Sequence, residues 1–121
     1  MSETDLYTEI LTEYSRGPTR IMRINAGMSY QGRVIERTPN RLVLSPWYPI
    51  RLAAEGVSDL LGWTTEDSVA VFTAIECKFG RRKPTPEQES FIEVVRRAGG
   101  RAGVARSVQD AGLIVAGKSV R

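Results

Sequence analysis

Leu6, Ile10 and Tyr14 recur at helical spacing near the start of the chain and predict a helix over residues 3–15, ended by "SRGP". On a 3.6-residue wheel Glu3 falls near the middle of this apolar stripe, whereas Glu9 and Glu13 fall to its side. Glu3 is therefore either a frayed N-terminal acid or an acid aimed inward. Alternating segments then predict strands at 20–24 ("RIMRI"), 29–37 ("SYQGRVIER"), 41–45 ("RLVLS") and 50–53 ("IRLA"). "TPN" at 38–40 supplies turn chemistry, and the rigid, aromatic "SPWYP" at 45–49 reads as a loop. Two more strands follow at 58–63 ("SDLLGW") and 69–79 ("VAVFTAIECKF"), joined by the polar "TTED".

In the second of these, Val71, Thr73, Ile75 and Cys77 face one way and Phe72, Ala74, Glu76 and Lys78 the other. Both faces begin apolar, which predicts a central strand covered on both sides. Beyond the basic loop "GRRKP", Thr85 is a candidate N-cap, Pro86 fits a first helical turn and Gln88 completes a T-x-x-Q capping box. Phe91, Val94, Val95 and Ala98 form the stripe expected to be buried, and "GG" at 99–100 stops the helix. "RAGVARS" reads as a strand and "SVQD" (107–110) as the cap of a last helix reaching Val115. The expected fold is a single α/β domain over 1–121, with a mixed sheet flanked by helices rather than a repeating βαβ unit.

The stretch "TAIECKFG" (73–80) breaks its own pattern, because Glu76 and Lys78 occupy positions where core residues belong. A solvated strand end explains this, and so does an active site at the C-terminal end of a strand. Alone, E-x-K is a weak motif that equally describes a surface ion pair. Asp59 changes the balance. It starts the neighbouring strand, and across an antiparallel pair with a short turn it meets Glu76 on the ladder. Two carboxylates brought together repel unless something neutralises them, and either Lys78 or a divalent cation does so. Mg²⁺ favours one or two carboxylates with waters and substrate phosphates, so Asp, Glu and Lys together suit metal-assisted phosphodiester hydrolysis.

Composition narrows the chemistry further. The chain of 121 residues has no histidine, which excludes Ser-His-Asp and Cys-His hydrolases, His-ligated zinc sites and histidine-dependent nucleases. Acid–base or metal chemistry must come from carboxylates, lysine, tyrosine or backbone groups. The net charge of +3 is split: residues 1–77 carry 7 arginines against 10 acids, and residues 78–121 carry 10 basic residues against 4 acids. A basic half beside an acidic one points to a polyanionic partner, although a solvated basic surface has the same composition. The single cysteine, Cys77, allows no intramolecular disulfide, and the acidic start "MSETDLYTE" is unlike a signal peptide. A lone cysteine fits a reducing cytoplasm best, and no apolar run approaches a membrane span.

An ordered set of segments is more specific than any of these features. "RIMRINAG" (20–27), "GVSDLLGW" (56–63), "AIECKFG" (74–80), "RRKPTPEQESFIEVVRRAGG" (81–100) and "AGVARSVQDA" (102–111) resemble the virus-type replication–repair nucleases. These form a small branch of the PD-(D/E)XK phosphodiesterases, found in phages and as the nuclease module of the Fanconi-associated nuclease. The resemblance implies a restriction-endonuclease-like fold and Mg²⁺- or Mn²⁺-dependent DNA cleavage in a bacterial or phage-infected cytoplasm. By position it implies Asp59 and Glu76 as metal ligands, the backbone carbonyl of Cys77 as a third, and Lys78 as the catalytic lysine. Gln88 resembles the family's helix glutamine beside the site, in competition with its capping role, and Glu3 resembles the acid of the first helix. Arg23 and Asn25 are candidates for substrate contact, although the family's R-N-N reads R-I-N here, with Ile24 in the first asparagine's place.

Relatives consisting of a bare nuclease domain act on branched DNA such as four-way junctions, which makes branched DNA the expected substrate and a homodimer the expected assembly. No membrane or small-molecule cofactor is implied. The competing reading is a nucleic-acid-binding module without catalysis, using the strand-rich middle (20–53) and the basic half; a third is a regulatory protein that keeps a dead nuclease fold. Arg81, Arg82 and Lys83 of "GRRK" either grip phosphates or form a solvated loop. Trp47 and Tyr48 suit stacking on unpaired bases, a core lid or a dimer contact. Trp63 reads as core, and Cys77 faces away from Glu76, which argues against a nucleophilic role.

Overall fold

The strand that carries Glu76 lies inside a four-stranded sheet, as its two apolar faces require. The computed structural model describes residues 2–24, 27–51 and 53–120. Its elements are α1 (Glu3–Tyr14), β1 (Thr19–Arg23), β2 (Met28–Thr38), β3 (Arg41–Arg51), β4 (Leu60–Glu66), β5 (Val69–Cys77), α2 (Pro86–Arg97), β6 (Arg101–Ala105) and α3 (Val108–Val115). The main sheet has the order β1-β4-β5-β6. β1 with β4 and β4 with β5 are antiparallel, whereas β5 and β6 run parallel. Parallel neighbours need a crossover, and α2 provides it. The fold is thus the expected α/β domain with a mixed sheet flanked by helices. Among the described residues no helix is long and apolar enough to cross a membrane.

One face of the sheet presents Ile21, Leu60, Ile75, Cys77 and Ala105 to Leu6 and Ile10 of α1 and to Ala111 and Ile114 of α3. The opposite face presents Ala74 and Ala102 to Ile92 and Val95 of α2. Capping begins all three helices. Ser2 and Thr85 each form a complete capping box, and the Ser107 hydroxyl accepts from the Asp110 amide. Gly99, at φ +93, ends α2 in the left-handed conformation that favours glycine. The β4–β5 turn narrows to Asp67 and Ser68, both at positive φ, as a two-residue hairpin turn requires. Thr64–Glu66 therefore belong to β4 rather than to the turn, and β5 stops at Cys77 rather than Phe79.

Three expectations are corrected. "SPWYP" is not a loop: β3 runs through it, and β2 and β3 form a separate two-stranded antiparallel ribbon. Both strands of such a ribbon are edges, so Pro46 and Pro49 forfeit little ladder bonding, and a register irregularity falls close to Pro46. The buried stripe of α2 is turned relative to the expected one. Ile92 and Val95 point inward, Val94 is 60% exposed and Ala98 is also exposed. "FIEVV" offers two apolar stripes, and the inward one fits over the small residues Ala74 and Ala102. Trp63 is not core but 40% exposed, because α2 covers the β5–β6 side of its face and leaves Met22, Trp63 and Phe72 uncovered.

The phase of α2 has a direct test. Ile92→Ala should cost about 2–4 kcal/mol, whereas Val94→Ala should stay within about 0.5 kcal/mol, as read by urea unfolding.

Candidate active site

The Leu60–Ile75 pair closes the ordered ladder between β4 and β5, and Asp59 and Glu76 stand one step beyond it on the two strands. Asp59 is held at both ends. Its backbone carbonyl accepts from the Ile24 amide at 2.8 Å, and its Oδ2 accepts from the Cys77 amide at 2.8 Å. The preceding loop turns at Gly56, whose φ is +87 and where a Cβ would lie 2.4 Å from the backbone oxygen of Glu87. Only glycine lets this loop pass so close to the start of α2 and still deliver Asp59 to the ladder.

Glu76 is 1% exposed and Lys78 8%. The Lys78 Nζ lies 3.8 Å from Glu76 Oε1, close enough for attraction and too far for a hydrogen bond. The other oxygen, Oε2, is buried and without a hydrogen-bond partner among the described residues, as is the hydroxyl of the buried Ser58. Burial, and secondly the charge of Asp59, push the Glu76 carboxyl up to about 8, with Lys78 opposing. The Lys78 amide donates to the Ala105 carbonyl at 3.1 Å, so the end of β5 stays tied to β6. Cys77 is fully buried and its thiol is pushed up by burial and by Asp59, Glu76 and Glu3, which leaves it a poor nucleophile.

Helix α1 reaches the same place. Burial raises the Tyr7 phenol, as do the charges of Asp59, Glu3 and Cys77. Its hydroxyl donates to Glu3 Oε1 at 3.3 Å, and the Arg23 guanidinium lies 4.8 Å from its ring centroid. Glu3 Oε2 accepts from Arg82 Nη1 at 3.2 Å. Arg106 fixes the basic loop from beneath: its Nη1 donates to the carbonyls of Gly80 at 2.9 Å and Arg82 at 2.7 Å.

Asp59, Glu76, Cys77 and Lys78 thus come together at the end of β5, and Glu3, Arg23 and Arg82 line one side through Tyr7. Arg81 and Lys83 are exposed on the basic loop. The Gln88 side-chain oxygen accepts from the Thr85 amide at 2.8 Å, so its carboxamide serves the cap. Asn25 lies outside the described residues. Tyr7 and Arg106 take part without having been read from the sequence. Tyr7 had a signal, since it follows Glu3 by one helical turn; Arg106 had none, because nothing in its spacing reveals a long-range bond to a loop.

Among the described residues no group of three or more Asp, Glu, Cys or His side chains gathers to enclose a metal. Two carboxylates, one with a buried unpartnered oxygen, still fit a hard divalent cation that keeps waters and takes phosphate oxygens. The chain matches the model of the VRR-NUC domain over residues 12–109. Neither a curated protein nor a solved structure matches it.

The raised Glu76 carboxyl gives a pH signature. The folded, metal-free protein holds a proton there between the ordinary value of 4.5 and about 8, where the unfolded chain has released it. Stability is therefore lost as pH rises through that window. In EDTA, Glu76→Gln should melt higher than wild type at pH 8 and lose most of that advantage at pH 5.

Proposed function

This chain belongs to the VRR-NUC domain family, a nuclease family, and we propose that it is a Mg²⁺- or Mn²⁺-dependent deoxyribonuclease that cleaves branched DNA, four-way junctions included. The observation that carries this reading is the burial of Glu76 beside Asp59 and Lys78, with its Oε2 unpartnered among the described residues. A module that only bound DNA would gain nothing from burying like charges together.

Asp59 and Glu76, with the Cys77 carbonyl, would hold the cation. When bound, the ion supplies charge stabilisation at the scissile phosphate and acidifies a water. The chain's own groups do the rest. The Cys77 amide fixes the Asp59 carboxylate in one orientation. Lys78, kept nearly dry by the sheet, orients the attacking water or offsets negative charge developing on the phosphate. Glu3, steadied by Tyr7 and Arg82, borders the site as an acceptor for water. Arg23, Arg81, Arg82 and Lys83 are positioned to meet backbone phosphates, and Gln88 is a further contact once substrate competes for its carboxamide.

Two symmetric cuts on a junction need two sites, which a two-fold homodimer supplies. A bacterial or phage-infected cytoplasm, and work in DNA replication or repair, follow from the same reading. The buried free thiol of Cys77 suits a reducing compartment.

Labelled linear duplex, flap and four-way junction should be incubated with Mg²⁺, Mn²⁺ or EDTA. Wild type should cut with either metal and not in EDTA, with the junction preferred. Glu76→Ala should abolish cutting, and Lys78→Ala should slow it by about 10²–10³-fold, the scale for removing a fixed charge from a developing anion. Tight binding by wild type without cutting in either metal would instead make the protein a binding module.

A further inference from the structure

We propose that the β2–β3 ribbon is a second nucleic-acid site, one that takes unpaired nucleotides. Bases stack on Tyr30, Trp47 and Tyr48, and the ribbon's arginines meet the sugar–phosphate chain. The proposal rests on the nuclease reading and deepens it by naming the unpaired part of a branched substrate that the ribbon would hold.

Three observations carry it. First, the ribbon leaves its aromatic rings in water. Tyr30, Trp47 and Tyr48 are each more than half exposed. Tyr30 and Trp47 meet edge to face at 5.8 Å, and the Tyr48 hydroxyl donates to Gln31 Oε1 at 3.0 Å. The rings are thus preset rather than floppy, which lowers the ordering cost of stacking.

Second, the rings lie on both faces. Gly32 pairs with Trp47 and Gln31 with Tyr48, and neighbouring residues of a strand point to opposite sides. A flexible single strand can pass over both.

Third, the charge is complementary to a polyanion. Residues 28–51 carry Arg33, Arg37, Arg41 and Arg51 against Glu36 alone, and contain no lysine. Guanidinium planes stack on bases as well as pairing with phosphate.

Paired bases do not fit this surface as well. A duplex offers only base edges to a ribbon in its groove, and reading edges calls for polar donors and acceptors rather than three aromatic faces. Each strand is 11 residues long, so the ribbon extends over roughly 35 Å, with the three rings in neighbouring pairs near one end and Arg33, Arg37 and Arg41 further along. That length accommodates a run of nucleotides rather than a single base.

The test is made in EDTA, so that it does not depend on cleavage. In a Trp63→Phe background Trp47 is the sole tryptophan, and oligo-dT should quench its emission while a blunt duplex of equal length should not. By anisotropy of labelled oligo-dT, Trp47→Ala and Tyr30→Ala should each weaken binding by about tenfold or more, the scale of a lost stacking contact. Their affinity for duplex should change by less than about twofold. Arg33→Gln with Arg37→Gln should lower the salt slope on oligo-dT by about 1.4, at 0.7 per lost single-strand phosphate contact. Unchanged thermal melts would confirm that the variants fold.

Equal weakening on both DNAs, or no quenching, overturns the proposal. So does sedimentation in which wild type is a dimer without DNA and Trp47→Ala a monomer, because the ribbon then seats a second copy. A protein that passes this test but never cuts with metal retains the ribbon site and loses the nuclease reading; one that cuts junctions but fails here retains the nuclease reading and loses the ribbon site.

Discussion

A carboxylate buried beside a second carboxylate is the constraint around which this protein is arranged. Glu76 gives up its water at the end of β5, and Asp59 adds like-charge repulsion. Lys78 at 3.8 Å returns only part of that loss. Such a pair persists only if the surrounding structure prevents the strand end from swinging into solvent. The parallel partner β6 does this, because the Lys78 amide is bonded to Ala105 beyond the last residue of β5. The Cys77 amide does it for Asp59, by turning one carboxylate oxygen into a hydrogen-bond acceptor held in place by the same strand. Both restraints use backbone amides at the end of the strand that carries Glu76, so stability and site geometry are inseparable here.

The crossover explains why the basic residues sit where they do. A parallel β5–β6 pair forces the chain out of the sheet at Lys78 and back through α2. The loop that leaves must therefore start at the carboxylates, and this chain makes that loop "GRRK". Its shape is not left to solvent, because Arg106 holds two of its carbonyls and Glu3 pairs with Arg82. An ion pair as exposed as Arg82–Glu3 adds little stability, on the order of 0–1 kcal/mol. Its effect is positional: it joins the first helix to the loop, across the mouth of the site.

Features set by local chemistry were legible in the sequence. The facing of Ile75 and Cys77 to one layer and of Ala74 to the other, the Thr85 capping box and the meeting of Asp59 with Glu76 across the ladder all follow from spacing and register. Features set by how far one element extends over another were not. Trp63 and Val94 read as core because they are large and apolar, yet whether they are covered depends on α2 lying over β5 and β6 alone. "SPWYP" reads as a loop because proline removes a ladder donor, a penalty that disappears in a ribbon whose strands are both edges. Tyr7 was hidden for another reason. It stands beside the Leu6–Ile10–Tyr14 stripe, and its spacing from Glu3 gains meaning only once the hydroxyl is seen reaching that carboxylate.

The uneven covering of the sheet serves both requirements of a nuclease. Helices α1 and α3 bury the part of one face that holds Ile21, Leu60, Ile75, Cys77 and Ala105, and α2 buries the part of the other face nearest the carboxylates. That is enough to keep Glu76 and Lys78 nearly dry, and a dry site is where a fixed charge acts most strongly on a phosphate. A polymeric substrate cannot be admitted to a closed pocket, so the surfaces around such a site must stay open. The basic loop, the half-covered sheet and the β2–β3 ribbon are the open parts, and there the aromatic residues and arginines stay in water. Packing is concentrated where charge must be held still, and it is withheld on the surfaces proposed to meet the substrate.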